Sequence, residues 1–469
     1  MHPSPPLRPR RLARRVLTDA ACGLLLAAGL LTAAAGSALA GSPAEYAANK
    51  VVVGYAASPP LSARAANARA GSQAAVADAS TRVVTLPRGV TVATALRQLR
   101  RSRKVAWAVP DYVAHAAGQI IPNDPGTAHA AGGWRDLQWN FAGEFGVNAP
   151  AAWANVAADG APGGRGVTVA VLDTGVAYAN RGPFRRSPDF NPHEFIRGFD
   201  FVSGNAFPND RNGHGTFVAS TIAEATNNGK GLTGLAFGAR IMPVRVLDGQ
   251  GEGEASTIAA GVLFAVHHGA QVINLSLEFS PGVTASDIPE LISALRYAHR
   301  RGVLVVAAAG NEGHAAIAFP AHAPTVVSVG ATTEHGCLAG YSNDGSGLTL
   351  VAPGGGADAS LPGDPNCRPE LPSGRDIFQV TFTGTSPRTF GVPTGYEGTS
   401  MAAPHVSATA ALVIASGVIG RHPTAAQITA RLRATARKLG GAGDQTLYGA
   451  GLVDAAAATA AGGPGAVPR

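Results

Sequence analysis

The sequence predicts an α/β fold, three layers built around a mostly parallel sheet, preceded by a small α+β module. Past Pro122 come short apolar runs rich in β-branched residues: Val167–Asp173 (VTVAVLD), Ala239–Leu247, Ala270–Leu277, Gly302–Gly310 and Pro324–Ala331. Continuous apolar runs of this length, without polar alternation, are the pattern of strands buried on both faces. Between several of them lie helical patterns, Ala255–Gly269 and Asp287–Gly302. Strands that alternate with helices form parallel sheets with helices on the faces. In such sheets, reactive groups sit at the carboxyl ends of the strands.

The smaller module precedes Pro122. Lys50–Tyr55 (KVVVGY) reads as a strand, Thr91–Arg103 as a helix with one basic face, and Val105–Ala116 as a half-buried strand. Before it stands a basic N-terminus (Arg8, Arg10, Arg11, Arg14, Arg15) and an apolar run from about Ala20 to Ala35. Small residues close it at Ser37-Ala38-Leu39-Ala40. This is the layout of a secretory signal with cleavage after Ala40, and the apolar run is short for a membrane anchor. The expected organisation is 1–40 signal, 41–121 module, 122–460 main domain and 461–469 flexible tail. The expected localisation is extracellular, with no membrane association once the signal is removed.

Charge is unevenly placed. Residues 1–121 carry fifteen Lys/Arg against four Asp/Glu, a net of +11, so the chain's overall +7 leaves −4 for the remainder. The main domain therefore lacks the basic footprint of a nucleic-acid binder. Of the three cysteines, Cys22 falls in the signal, which leaves Cys337 and Cys367. An even pair in an exported chain reads as a disulfide, with two separate thiols as the alternative. No Cys/His spacing suggests zinc.

Four residues carry candidate chemistry. Asp173 ends a buried strand at a Thr-Gly turn. His214 lies between two glycines in Arg211–Ser220 (RNGHGTFVAS), where a helical pattern begins. Ser400 opens the apolar helix of Tyr396–Val413 (YEGTSMAAPHVSATAALV). Pro404 is tolerable in that helix because first-turn N–H groups lack intrahelical acceptors. Each residue alone also reads as a cap or turn residue. Together they supply a nucleophile, a base and an acid that orients the base. Asn311, past the end of another apolar strand, could donate to an oxyanion.

These segments, VLDTG, NGHGT and GTSMAAPHV, resemble the three signature motifs of the subtilase family, in the family's order, and the resemblance covers nearly the whole chain after Pro122. Subtilisin is itself a standard illustration of this triad and of the oxyanion Asn. The resemblance implies a subtilisin-like three-layer fold and serine endopeptidase activity by acyl-enzyme catalysis, with no catalytic cofactor. It implies Asp173, His214 and Ser400 as the triad and Asn311 as an oxyanion donor. It implies substrate edges at Gly251, Gly253, Ser276 and Leu277, and a pocket wall at Ala308, Ala309 and Gly310. The module resembles the family's prodomain, which assists folding and inhibits until removed. Expected partners are polypeptide substrates and the chain's own prodomain; the mature enzyme is expected to be a monomer. A structural calcium is implied at Asp124, Asp189 and Asn228, since oxygen ligands suit this cation. A non-enzymatic binding protein on the same scaffold would be expected to have lost a triad member, and none is missing.

Two departures stand out. Glu278 occupies a place where the family usually has Gly. With Glu252, Glu254 and Glu312 it would bias the cleft toward basic substrate residues, unless these carboxylates simply face solvent. The stretch Pro353–Thr394 is long, rich in Gly and Pro, and contains Cys367.

Overall fold

The computed structural model describes residues 46–55, 81–87, 89–112, 120–127, 130–441 and 444–466. The signal segment with its cleavage point, and the end of the tail, lie outside the described residues. The chain divides into two compact units, Met1–Val113 and Ala114–Arg469.

In the first unit, β1 (Tyr46–Tyr55), β2 (Thr81–Thr85) and β3 (Val105–Tyr112) form an antiparallel sheet in the order β2-β1-β3. Its helix, Val92–Leu99, is capped by Thr91, whose hydroxyl accepts from the Thr94 N–H. The helix buries Val92, Ala95 and Leu96 against Val51, Val53 and Ala108, so alternate residues of β1 face it. It stops four residues short of the expected Arg103. Arg100 is the C-cap, and its guanidinium donates twice to the Ala108 carbonyl. Strand β2 went unread in the sequence, because TRVVT pairs along one side only and stays largely half-exposed. Val83, Trp107 and Val109 are exposed apolar residues of this sheet.

The second unit is organised by seven strands: β4 (Thr168–Asp173), β5 (Phe199–Asp200), β6 (Arg240–Arg245), β7 (Val272–Leu275), β8 (Leu304–Ala308), β9 (Val326–Thr332) and β10 (Leu350–Pro353). Their order is β10-β9-β8-β7-β4-β6-β5 and every pairing is parallel. All six residues of β4 are buried, and the period of two assigns them to opposite layers. Val169 and Val171 pack with residues of the helices Ala149–Ala158, His214–Ala223 and Thr399–Ser416. Ala170 and Leu172 pack with the helices Ala255–His267 and Pro289–Arg300. The result is the expected three-layer sandwich.

Helix Thr399–Ser416 is buried on nearly all sides. Its run of Ala, Ser and Thr keeps it slim enough to lie against the sheet. The long loop after β10 is tied by a disulfide between Cys337 and Cys367. It returns as a short antiparallel ribbon, β11 (Thr381–Phe382) with β12 (Phe390–Gly391). Near the C-terminus the buried Arg431 guanidinium donates to the carbonyls of Ala457, Ala458, Ala460 and Pro464, which holds the chain as far as Pro464. Among the described residues no helix is long and apolar enough to cross a membrane.

Candidate active site

Strand order decides what can meet. Strands β8, β7 and β4 are neighbours. Asn311, Ser276 and Asp173 stand at or just past their carboxyl ends. The helices that begin at His214 and Thr399 present their N-termini to the same edge. A cleft of about 560 Å³ there is lined by His214, Ser400, Thr174, Leu247, Gly251 and Gly253, with Ser276, Leu277 and Glu278.

Asp173 is wholly buried. Its Oδ1 accepts from His214 Nδ1 at 2.8 Å and from the Thr174 N–H at 2.7 Å. With Nδ1–H committed to the carboxylate, Nε2 of the neutral ring is left as a proton acceptor. Burial opposes protonation of His214. The Asp173 charge and hydrogen bond, with the more distant Asp210, outweigh it and hold the His214 pKa above its ordinary value.

The two glycines beside His214 have separate reasons. Gly213 has φ +110°, a conformation other residues rarely adopt. At Gly215 a Cβ would stand 2.1 Å from the Gly175 carbonyl oxygen. Close approach of another chain segment is thus what Gly215 permits.

Asp210 was not singled out in the sequence, yet it organises this turn. Its Oδ1 accepts from Thr174 Oγ1 and from the N–H groups of Asn212 and Gly213, at 2.9–3.0 Å. Its Oδ2 accepts from the N–H and hydroxyl of Thr216, at 2.9 and 2.5 Å. The only sequence signal was an Asp two residues before Asn212-Gly213, which reads as any turn. The long loop also contributes. The Thr381 hydroxyl donates to the Gly213 carbonyl at 2.6 Å, and Ser220 Oγ donates to that of Val380 at 3.1 Å.

Ser400 is not an N-cap. Gly398 caps the helix, and Ser400 lies in its first turn, where its N–H has no intrahelical acceptor. Its Oγ donates to the Ser276 carbonyl at 3.2 Å. Pro404 requires a correction: it lies inside the helix, beyond the first turn. Its missing N–H would have bonded the Ser400 carbonyl four residues back. That carbonyl instead accepts from Ser276 Oγ at 2.8 Å. Ser276 Oγ in turn accepts from Asn274 Nδ2 (2.9 Å), and Asn274 Oδ1 accepts from Ser407 Oγ (2.8 Å). The proline thus opens a socket by which β7 grips the Ser400 helix. His405, one residue on, is buried and its pKa falls to about 4 through that burial. It stays neutral, between the Met401 carbonyl and Asn140.

Asn311 is gripped at both ends of its amide. Its Oδ1 accepts from the N–H and hydroxyl of Thr399 at 2.8 and 3.0 Å. Its Nδ2 donates to Glu278 Oε1 at 2.9 Å, and its backbone N–H to Glu278 Oε2 at 3.0 Å. Ala308 and Ala309 are wholly buried. Gly310 lies against Glu278, where a Cβ would stand 2.7 Å from Oε2. Glu252, Glu254 and Glu312 are exposed.

Away from the cleft, the structure brings Asp124, Asp189 and Asn228 together. Asp124 accepts from the N–H groups of Asn227 and Asn228 at 2.7 and 3.0 Å. Asp189 accepts from Asn228 Nδ2 and the Leu232 N–H at 2.8 and 2.9 Å. Glu224, unread in the sequence, is wholly buried nearby and neither carboxyl oxygen has a hydrogen-bond partner. Burial, then the charges of Asp189, Asp124 and Glu194, push its pKa up. Burial also raises Asp189 to about 7 and Glu194 to about 8. Such a set of oxygen donors with unbalanced charge fits a hard divalent cation in chemistry. Among the described residues no three His, Cys, Asp or Glu are already arranged as a metal cage.

A buried Asp–His pair that shares a cleft with a helix-initial Ser, at the carboxyl edge of a parallel sheet, defines a serine-hydrolase class of site. Residues 164–451 match the subtilase family and residues 32–111 the fervidolysin N-terminal prodomain. The chain belongs to the subtilase family. It is a serine endopeptidase made with an N-terminal prodomain. It is 40% identical to subtilisin Savinase of Lederbergia lenta over 297 residues, covering 63% of this chain and 91% of that one. It is 32% identical to subtilisin E of Bacillus subtilis (strain 168) over 372 residues, 78% of each chain. A solved protease of Pseudoalteromonas arctica superposes with a TM-score of 0.58 at 31% identity, over 72% of this chain and 99% of that one.

The Ser276 socket gives a prediction that separates its hydroxyl from its main chain. Ser276→Ala leaves the half-buried Ser400 carbonyl without this donor and is expected to cost about 1 kcal/mol in denaturant unfolding. KM for peptides should change little. Unchanged stability would contradict the socket.

Proposed function

We propose that Ser400, His214 and Asp173 act as nucleophile, general base and orienting acid of a secreted endopeptidase that matures by cutting off its own prodomain. The observation that carries this is the 2.8 Å Asp173–His214 bond in the cleft that Ser400 lines. Ser400 Oγ leaves the Ser276 carbonyl and attacks the scissile carbonyl carbon as His214 Nε2 takes its proton. The oxyanion accepts from the Ser400 N–H and from Asn311 Nδ2. Collapse expels the amine, which takes the proton back from His214, and water then hydrolyses the acyl-enzyme by the same route in reverse. An extended polypeptide pairs with the backbone edges at Gly251–Gly253 and Ser276–Leu277, so sequence demand along it is loose. The prodomain is the intramolecular inhibitor until cleaved, and the mature enzyme works as a monomer.

The test is to secrete the wild type and Ser400→Ala and to compare intact mass and casein hydrolysis. The wild type should lose its prodomain and digest casein. The variant should keep the prodomain and lose activity by about 10⁶-fold. Equal maturation of both proteins would contradict self-processing by Ser400.

A structural calcium fits this reading, held by Asp189, Glu224 and the Asn228 loop that Asp124 shapes. Without the ion, Asp189 and Glu194 bind protons more tightly in the folded chain than in the unfolded one. Their contribution is therefore fully present below the ordinary carboxyl range of about 4 and is lost as pH rises from there to about 7 for Asp189 and about 8 for Glu194. Thermal unfolding in a chelator should show Tm falling over that range, and calcium should abolish the fall. Identical Tm with and without calcium above that range would rule the site out.

A further inference from the structure

The structure assigns Glu278 a positioning role: it is a latch on Asn311 that a cationic substrate side chain releases, which makes the enzyme selective for Arg or Lys before the cut. The inference rests on the endopeptidase reading above and names the substrate class of that same cleft.

Asn311 has two kinds of N–H, and one carboxylate takes a hydrogen from each. Glu278 Oε1 accepts from Nδ2 and Oε2 from the backbone N–H, at 2.9 and 3.0 Å. This grip is charge-assisted and two-pronged. It sets an anion one hydrogen bond away from the amide that has to stabilise a second, developing anion. Like charges at that spacing repel strongly where water is scarce. While Glu278 stays on Asn311 without a counter-charge, it works against the oxyanion it adjoins.

Among the described residues that counter-charge is missing: neither Glu278 nor Glu312 forms an ion pair with Lys or Arg. Glu312 follows Asn311 in the chain, and its carboxylate accepts from Asn343 Nδ2 at 2.6 Å. Its charge is felt at Glu278, whose pKa rises first through burial and then through this repulsion. The approach is open, because Glu278 is only half-buried and lines the cleft beside Ser400. Gly310, buried beneath it, lets Glu278 and Asn343 close on this turn. Its φ is +116°, and a Cβ there would stand 2.1 Å from Asn343 Nδ2 and 2.7 Å from Glu278 Oε2. A guanidinium or ammonium entering the cleft beside Glu278 would meet a carboxylate without a cation of its own, with the charge of Glu312 behind it. Pairing with Glu278 draws its charge away from the Asn311 amide and frees the second of its two Nδ2 hydrogens, the one Oε1 holds. An apolar side chain leaves the latch closed.

The experiment measures kcat/KM on four peptides that differ only before the scissile bond: Arg, Lys, Leu and citrulline, the uncharged isostere of Arg. Mature wild type, Glu278→Gln and Glu278→Gly are compared, with Tm as a check on folding. The wild type is expected to favour Arg over citrulline by about tenfold or more. Glu278→Gln should bring that ratio near unity at unchanged Tm. Glu278→Gly should also raise kcat on the Leu peptide, which a merely structural role for Glu278 would not do. The wild-type Arg-to-citrulline ratio is a test by itself should a variant fail to mature. Cleavage of all four peptides with that ratio near unity overturns the latch and leaves the endopeptidase reading standing. Failure of mature wild type to cut any of the four, or casein, overturns both.

Discussion

One hydrogen bond, from His214 to Asp173, governs the second unit. It selects one tautomer of one imidazole, and both its ends are over-determined. Asp173 is fixed because β4 is buried along its whole length and ends at the carboxylate. His214 is fixed because Asp210 gathers Thr174, Asn212, Gly213 and Thr216 around one carboxylate. Five donors on a buried Asp hold a turn that an isolated loop would not keep. Glycine at position 215 then lets the helix start close against the Gly175 carbonyl.

The same economy recurs at the Ser400 helix. Pro404 removes one backbone donor, and Ser276 fills the vacancy from the neighbouring strand. A helix defect thereby becomes a registration point between the sheet and Ser400. Asn311 is held at its oxygen by Thr399, from the first turn of that helix. Strand β7, strand β8 and the helix are therefore linked by polar bonds at the point where the chemistry occurs, and by apolar packing elsewhere. The long loop joins this scheme through Thr381, which caps the Gly213 carbonyl, while its far end is tied back by the disulfide.

The fold was legible because the buried strands are nearly continuous apolar runs that alternate with helical patterns. The three chemical segments were legible because glycines and small residues mark them. What the sequence hid is instructive. Asp210 looks like a turn residue until Thr174 and Thr216 are brought to it from elsewhere in the chain. Glu224 looks like a helix-end surface residue until its burial beside Asp189 is seen. Pro404 could be misplaced by a turn because helix starts are imprecise in sequence. Glu278 was legible as a departure, but its bidentate hold on Asn311 depends on two strands ending side by side. Strand β2 was missed because an edge strand needs little hydrophobicity.

The central claim is that Ser400 is activated by a His214 whose proton affinity Asp173 has raised. The direct measurement is the rate of labelling of the mature protein by a fluorophosphonate, followed by intact mass and peptide mapping as pH is varied. The account predicts a single adduct on Ser400. Its rate should fall on acidification with a midpoint above the ordinary histidine value of about 6.5, because His214 is then protonated and no longer accepts a proton. An adduct on another serine, or a rate indifferent to pH across the histidine range, would contradict it.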